Sequence, residues 1–182
     1  MDGGWTDMDD AYRFAPAAPE EEYVYGAAAP GWHSAVDHET AVSAWLEFMR
    51  DRGIQRVCCL LPGGGSDGCR YNLDRYVAVF GADNVIHAPL LDRRLGDTTV
   101  LEDTILPFLE ASVRREAPVV VQGLSGLGRT GQVLAAWLVY GRGYGAEPAV
   151  ETVEEMGRFP EEPIEDGPTT EEELLDHLAT VG

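Results

Sequence analysis

From residue 38 onward, short apolar stretches alternate with stretches whose apolar residues recur at helical spacing, and this alternation limits the fold more than any other feature of the chain. Asp37 can cap a helix over 38–52, in which Val42, Trp45, Leu46 and Met49 fall at i, i+3, i+4 and i+7. Gly53 ends that helix, and Ile54–Leu61 reads as a buried strand. Asn72 can cap a second helix carrying Leu73, Tyr76, Val77 and Phe80 on one side, followed by a short strand over 84–88. A third helix is expected over 98–116, with Pro107 kinking it because a proline ring clashes with the carbonyl four residues back. Pro118–Gln122 is another apolar strand, 129–140 is helical, and amphipathic helices follow over 146–157 and 169–180. Repeated strand–helix–strand units imply an α/β fold of three layers, a mostly parallel central sheet with helices on both faces. Ligands in such sheets bind at the carboxyl ends of the strands.

The segment 1–19 is small, polar and rich in Pro and Ala, and is expected to be a flexible acidic lead, with Met8 as an alternative start. The domain then covers 20–182, opening with a strand over 20–26 where Tyr23, Val24 and Tyr25 favour extended backbone.

Charge narrows the chemistry. The chain has 32 acids and 13 basic residues for a net charge of −19, and every basic residue is arginine. Without lysine there is no Schiff-base chemistry and no Walker loop of standard form. A chain this acidic repels nucleic acid and anionic membrane, so neither is an expected partner. The longest apolar run, Val133–Tyr140, is eight residues, far short of a span. Three cysteines without a secretory leader point to a reduced cytoplasmic protein. The acidity is uneven. Residues 1–30 hold seven acids and Arg13, and residues 147–182 hold 12 acids and Arg158, whereas 118–146 has two arginines and no acid.

That locally positive stretch contains PVVVQGLSGLGRTG, residues 118–131, with four glycines and Arg129 within nine residues. An apolar strand, a glycine-rich turn and a helix start can direct several backbone N–H groups inward, and Arg129 adds a planar fork for two oxygens of an anion. Two familiar patterns overlap there and fit poorly. Gly126-x-Gly128-x-x-Gly131 matches a dinucleotide fingerprint, but it follows the last evident strand rather than the first. Gly123 to Thr130 matches a Walker loop with arginine for lysine, but no later apolar strand ends in aspartate.

The run Ser125-Gly126-Leu127-Gly128-Arg129-Thr130-Gly131 resembles the signature loop of cysteine-dependent protein tyrosine and dual-specificity phosphatases, in which His-Cys, five residues, Arg and Ser/Thr lie between a strand and a helix. The likeness is to the compact, dual-specificity-like members, including forms from salt-loving archaea, and in architecture it spans 20–182. It implies a protein tyrosine phosphatase-like fold, no cofactor and no metal. It also implies a phosphate-binding loop of Leu124, Ser125, Gly126, Leu127, Gly128, Arg129 and Thr130. The general-acid position falls on Asp92, 31 residues before Gly123, with Asp97 second and better suited to capping the helix at Thr98. The chain departs from the signature at two points. Gln122 stands at the histidine position and Gly123 at the nucleophile position. Glycine has no side chain to attack phosphorus, and Cys58, Cys59 and Cys69 belong to an earlier strand and its loop. Thr130, near the thiolate in the family, can here cap the helix. His33, His38, His87 and His177 lack metal-ligand spacing, and Leu134, Trp137 and Leu138 read as core.

The resemblance therefore implies a phosphate-binding pseudophosphatase whose partner is a phosphorylated protein or a small phosphoester. The alternatives are a phosphatase of residual or unusual activity, and an interaction protein with a vestigial loop. The lysine-free acidity, for which the alternative source is a high-GC genome with acidic tails, resembles that of proteins from a high-salt cytoplasm, where salt screens self-repulsion. The melting midpoint is expected to be higher in molar KCl than at low salt, and an unchanged midpoint in a thermal scan would count against that reading.

Overall fold

The apolar run ending at Gln122 becomes the central strand of the sheet. In the computed structural model, which describes residues 12–32, 36–62, 71–90, 95–166 and 169–181, β5 (Val119–Gln122) lies parallel to both β2 (Val24–Ala27) and β3 (Arg56–Cys59). β4 (Val85–His87) extends the sheet parallel to β3, and β1 (Ala15–Pro16) closes the other edge antiparallel to β2. The order β1-β2-β5-β3-β4 gives a mostly parallel sheet of five strands. Every residue of β3 and β5 is buried, as strands covered on both faces require.

Alternation along the strands divides the core in two. Cys58, Val119 and Val121 face one helical layer, while Val57, Cys59 and Val120 face the other, so the adjacent cysteines point apart. The second layer is α1 (His38–Asp51) and α2 (Leu73–Phe80), which bury Trp45 and Tyr76. The first contains α3 (98–114), α4 (Gly128–Arg142), α5 (Ala146–Glu155) and α7 (Glu171–Val181), with a short α6 (Glu162–Asp166) before the last. Asp37 and Asn72 cap α1 and α2 as their positions predict, accepting from the Thr40 and Arg75 N–H groups at 2.9 and 3.0 Å. Among the described residues no helix is long and apolar enough to cross a membrane.

Three local expectations change. Pro107 does not produce a simple kink. α3 starts as Thr98–Val100, widens into a π-helical turn over Leu101–Ile105, and resumes as Leu106–Arg114. Leu106 donates to the Leu101 carbonyl five residues back. The wider turn accommodates a residue that has no N–H and crowds the carbonyl four back. The second change is at the N-terminal side. The segment 12–19 is packed rather than loose: Tyr12 and Phe14 are buried, Phe14 stacks on Tyr25 at 5.0 Å, and Ala15, Ala17 and Ala18 are fully buried. Small alanines that look like linker composition fit closely against the sheet edge. Residues 1–11, including Met8, lie outside the described residues.

The third change is the first strand, which begins at Val24 rather than at residue 20. Glu21 curls the chain before it, accepting from the Tyr23 and Val24 N–H groups at 3.0 and 3.3 Å. The same carboxylate accepts from Trp137 Nε1 at 3.0 Å and from Arg142 Nε and Nη2 at 2.9 Å each, tying β2 to α4. Its side chain is 1% exposed. Burial pushes this carboxyl up, but the bonds from Arg142, Trp137 and Tyr23 outweigh burial and hold it below the usual carboxylate value.

A carboxylate with a lowered folded-state pKa stabilises the fold above the unfolded value, near pH 4 to 4.5, and that contribution is lost as pH falls through the folded value. Glu21→Gln is expected to cost about 3 kcal/mol at neutral pH in urea unfolding, because Arg142 loses its partner. The difference between Glu21→Gln and wild type should narrow as the pH is lowered below about 4.

Candidate functional site

β5 ends at Gln122, which is wholly buried and accepts from the Tyr76 hydroxyl at 2.8 Å. Tyr76 stacks on Trp45 at 5.0 Å, and Trp45 Nε1 donates to the Ala28 carbonyl at 2.9 Å. The residue at the signature's histidine position is thus set in the α1–α2 side of the core.

Beyond it, every carbonyl from Leu124 to Leu127 is bonded to a donor outside the turn. Leu124 O accepts from Ala29 N–H at 2.9 Å, Ser125 O from Arg13 Nη1 at 2.9 Å, and Gly126 O from Arg158 Nη1 at 2.7 Å. Leu127 O accepts from Gly131 N–H at 3.1 Å and Phe159 N–H at 3.0 Å. In a trans peptide the next N–H points opposite to the carbonyl. The N–H groups of residues 125–128 therefore turn to the concave side. Leu127 N–H reaches Ser125 Oγ at 3.3 Å, while those of Ser125, Gly126 and Gly128 meet no acceptor among the described residues. Gly126 is required by this path: its φ is +80°, and a Cβ there would lie 2.9 Å from Ala28 N.

α4 begins at Gly128, with Leu127 as an N-cap that offers no side-chain bond. Its start thus adds the N–H of Gly128, which meets no acceptor among the described residues, and the positive end of a 15-residue helix. Thr130 lies inside that turn and does not cap it. Its Oγ1 is buried and has no hydrogen-bond partner among the described residues. That oxygen is 2.6 Å from where a Cβ at Gly123 would be, and Thr130 Cγ2 is 2.6 Å from the corresponding point at Gly26. Thr130 thus sits wedged between two residues that lack side chains. The Glu162 side chain packs against Gly128, an acid placed beside the helix start.

Arg129 is 7% exposed, and its Nη1 donates to the Leu90 carbonyl at 3.2 Å. Gln132, one turn on, accepts from Gly96 N–H at 2.9 Å. The two flanks of the segment containing Asp92 are therefore both held by α4. Asp92, with Arg93 and Arg94, lies outside the described residues. Asp97 caps α3, accepting from Thr99 and Val100 N–H at 2.8 and 3.2 Å. Cys58 and Cys59 are buried within the sheet, and burial, with Cys59 beside it, pushes the Cys58 thiol far up. Cys69 and His33 are outside the described residues. His38 meets Asn72, His87 Nε2 meets the Leu61 carbonyl at 2.6 Å, and burial lowers the pKa of His177. Leu134, Trp137 and Leu138 are core, as expected. Among the described residues no group of His, Cys, Asp or Glu is arranged to hold a metal.

Sequence reasoning does not single out Arg13, Arg158 or Gln132 as parts of this site. A signal for the first two exists: each is the one basic residue in a strongly acidic end of the chain.

The model of the family described as "Polymorphic toxin system, DSP-PTPase phosphatase" matches residues 33–143, more than half of the chain. The dual specificity protein phosphatase H1 of Variola virus is 31% identical over 67 residues, as is OPG106 of Vaccinia virus strain Western Reserve. Each match covers 37% of this chain and 39% of the viral protein, so the chain matches about two fifths of their length. Among solved structures, Tk-PTP in its active form is 23% identical with a TM-score of 0.65, covering 91% of this chain and 96% of that one. PTPMT1 in complex with PI(5)P is 12% identical with a TM-score of 0.66, covering 92% and 96%. TpbA of P. aeruginosa is 18% identical with a TM-score of 0.61, covering 95% and 92%. These structures agree with the fold described above. Since the family match takes in the whole loop between β5 and α4, the chain belongs to the DSP-PTPase phosphatase family of polymorphic toxin systems.

Proposed function

We propose that the chain is a pseudophosphatase: it holds the phosphate group of a phosphorylated protein or small phosphoester in the loop 123–130 and forms no phosphoenzyme. One observation carries this reading. The carbonyls of residues 124–127 are all bonded outward, which leaves the N–H groups and the first turn of α4 to meet an anion. Arg129 supplies the planar fork, and Asp92 is the general-acid position, in a segment whose flanks are bonded to α4. Gly123 has no group to attack phosphorus, and the buried thiols of Cys58 and Cys59 face the two cores. Of the structural neighbours, a variant of P. aeruginosa TpbA was solved with pTyr, at a TM-score of 0.53 and 17% identity. PTPMT1 was solved with PI(5)P. Both ligands carry a phosphate on a larger group, which supports a phosphorylated residue or a small phosphoester as the ligand class. A cytoplasmic, salt-rich setting fits the net charge of −19, which disfavours nucleic acid and anionic membrane as partners.

A slow hydrolase is the second reading, favoured by the Thr130 hydroxyl, which is buried beside Gly123 and has no hydrogen-bond partner among the described residues. Calorimetry and turnover separate the two. Phosphotyrosine should bind wild type and lose roughly tenfold or more in affinity in Arg129→Ala, because a charged contact to the phosphate is removed. p-Nitrophenyl phosphate should not turn over. Turnover that is abolished by Arg129→Ala and reduced by Asp92→Asn would establish the second reading instead. Equal binding by wild type and Arg129→Ala would defeat both.

Gly123→Cys alone is expected to fail as a repair. Its Cβ would come 2.6 Å from Thr130 Oγ1, and overpacking of this kind costs about 1–3 kcal/mol. Adding Thr130→Ser removes the methyl that locks the side chain against Gly26. The double variant should therefore melt above Gly123→Cys alone and, if the remainder of the site is intact, hydrolyse p-nitrophenyl phosphate faster.

A further inference from the structure

We infer that Arg158, which lies beyond the segment matched by the family model, is a positioning residue for anion binding: it fixes the loop backbone from behind and supplies buried positive charge whose counter-ion is the ligand. The inference rests on the anion-cradle reading above.

Arg158 is 4% exposed. It follows α5 and reaches under the loop, with its Cβ 3.1 Å from where a side chain on Gly131 would begin. Nη1 donates to the Gly126 carbonyl at 2.7 Å, and Nη2 donates to the Gly26 and Ala15 carbonyls at 3.0 and 3.2 Å. One guanidinium therefore ties the loop to β2 and to the edge strand β1. Its planar fork suits this arrangement, since the donors diverge at fixed angles toward three carbonyls. Freeing the Gly126 carbonyl would let that peptide rotate, and the N–H of Leu127 would turn with it.

The charge is as informative as the bonds. Buried charges in proteins are ordinarily paired with an opposite charge. The partners of Arg158 among the described residues are three neutral carbonyls, and its Nε is buried with no partner. Among the described residues the charged group that acts on it is Arg13, a like charge, which donates to the neighbouring loop carbonyl at Ser125. The thiol position at Gly123 is empty of charge, and Thr130, whose Cγ2 packs against Gly26, is neutral. Burial first, and Arg13 second, lower the Arg158 pKa to about 9, so the guanidinium remains protonated at neutral pH. An anion bound on the concave side of the loop would supply the missing negative charge across one layer of peptide. A dianion should benefit more than a monoanion.

The test is calorimetry with phosphotyrosine on the full chain, at about pH 5 and about pH 7.5, on either side of the second phosphate ionisation near pH 6. Wild type should bind the dianion more tightly. Arg158→Met, checked for a cooperative melt, should lose roughly tenfold in affinity at the higher pH and less at the lower, flattening the pH profile. Arg158→Lys keeps the charge but not the fork, so it should bind several-fold more weakly at both pH values with the wild-type preference for the dianion retained. If Arg158→Met does not fold, the lysine variant decides. Binding within about twofold of wild type in a folded Arg158→Met or in Arg158→Lys overturns the inference, as does an equal loss at both pH values in Arg158→Met, the mark of a structural defect alone. Absence of phosphotyrosine binding in wild type overturns the cradle reading itself, and Arg158 with it.

Discussion

A peptide turn presents its N–H groups to one side only when its carbonyls are held to the other. In this protein the carbonyls of four successive residues, Leu124 to Leu127, are so held, and their donors come from widely separated parts of the chain. Arg13 comes from the N-terminal segment, Ala29 from the loop after β2, and Arg158 and Phe159 from the turn after α5. The sheet and its two helical layers can be described as the frame that brings these donors to one place. β5 delivers the turn at its carboxyl end, where parallel sheets open toward ligands. α4 departs from the same point, with its uncapped first turn facing the same space.

The charge distribution follows the same division of labour. The net charge is −19, yet the side chains that bond the loop carbonyls are arginines, Arg13 and Arg158. Buried guanidinium beneath the turn and backbone dipoles along it act at a few ångströms through protein. The acids of the C-terminal helices are mostly exposed, and their field is screened by solvent and salt. Local geometry therefore outweighs net charge at the loop.

Much of the fold was legible because its signals are local. Asp37 and Asn72 cap the helices they precede, and glycines follow α1 and α2 at Gly53 and Gly81. The apolar residues 119–121 could only be a covered strand. What escaped depends on partners far away in sequence. Alanines 15, 17 and 18 resemble a linker until the sheet edge is present to bury them. Glu21 reads as one more acid in an acidic head until Trp137 and Arg142 surround it. Pro107 announces a distortion, but whether the helix bends or widens depends on how Leu101, Ile105 and Phe108 must face the core. The loop itself was readable from its glycines and Arg129. Its supports were not, although Arg13 and Arg158 stood out as solitary cations in acidic ends.

Gly123 is best understood together with the residues around it. Here the Thr130 hydroxyl approaches to within 2.6 Å of where a Cβ would stand, while the Thr130 methyl makes the same approach to Gly26 on the opposite side. A side chain at either glycine would force Thr130 to move, and Thr130 is fully buried in the first turn of α4, with Leu134 one turn on also packed against Gly26. Buried side chains at native density have few alternative rotamers, so the two glycines and the threonine form a mutually dependent set. A side chain at Gly123 therefore has no room unless Thr130 moves.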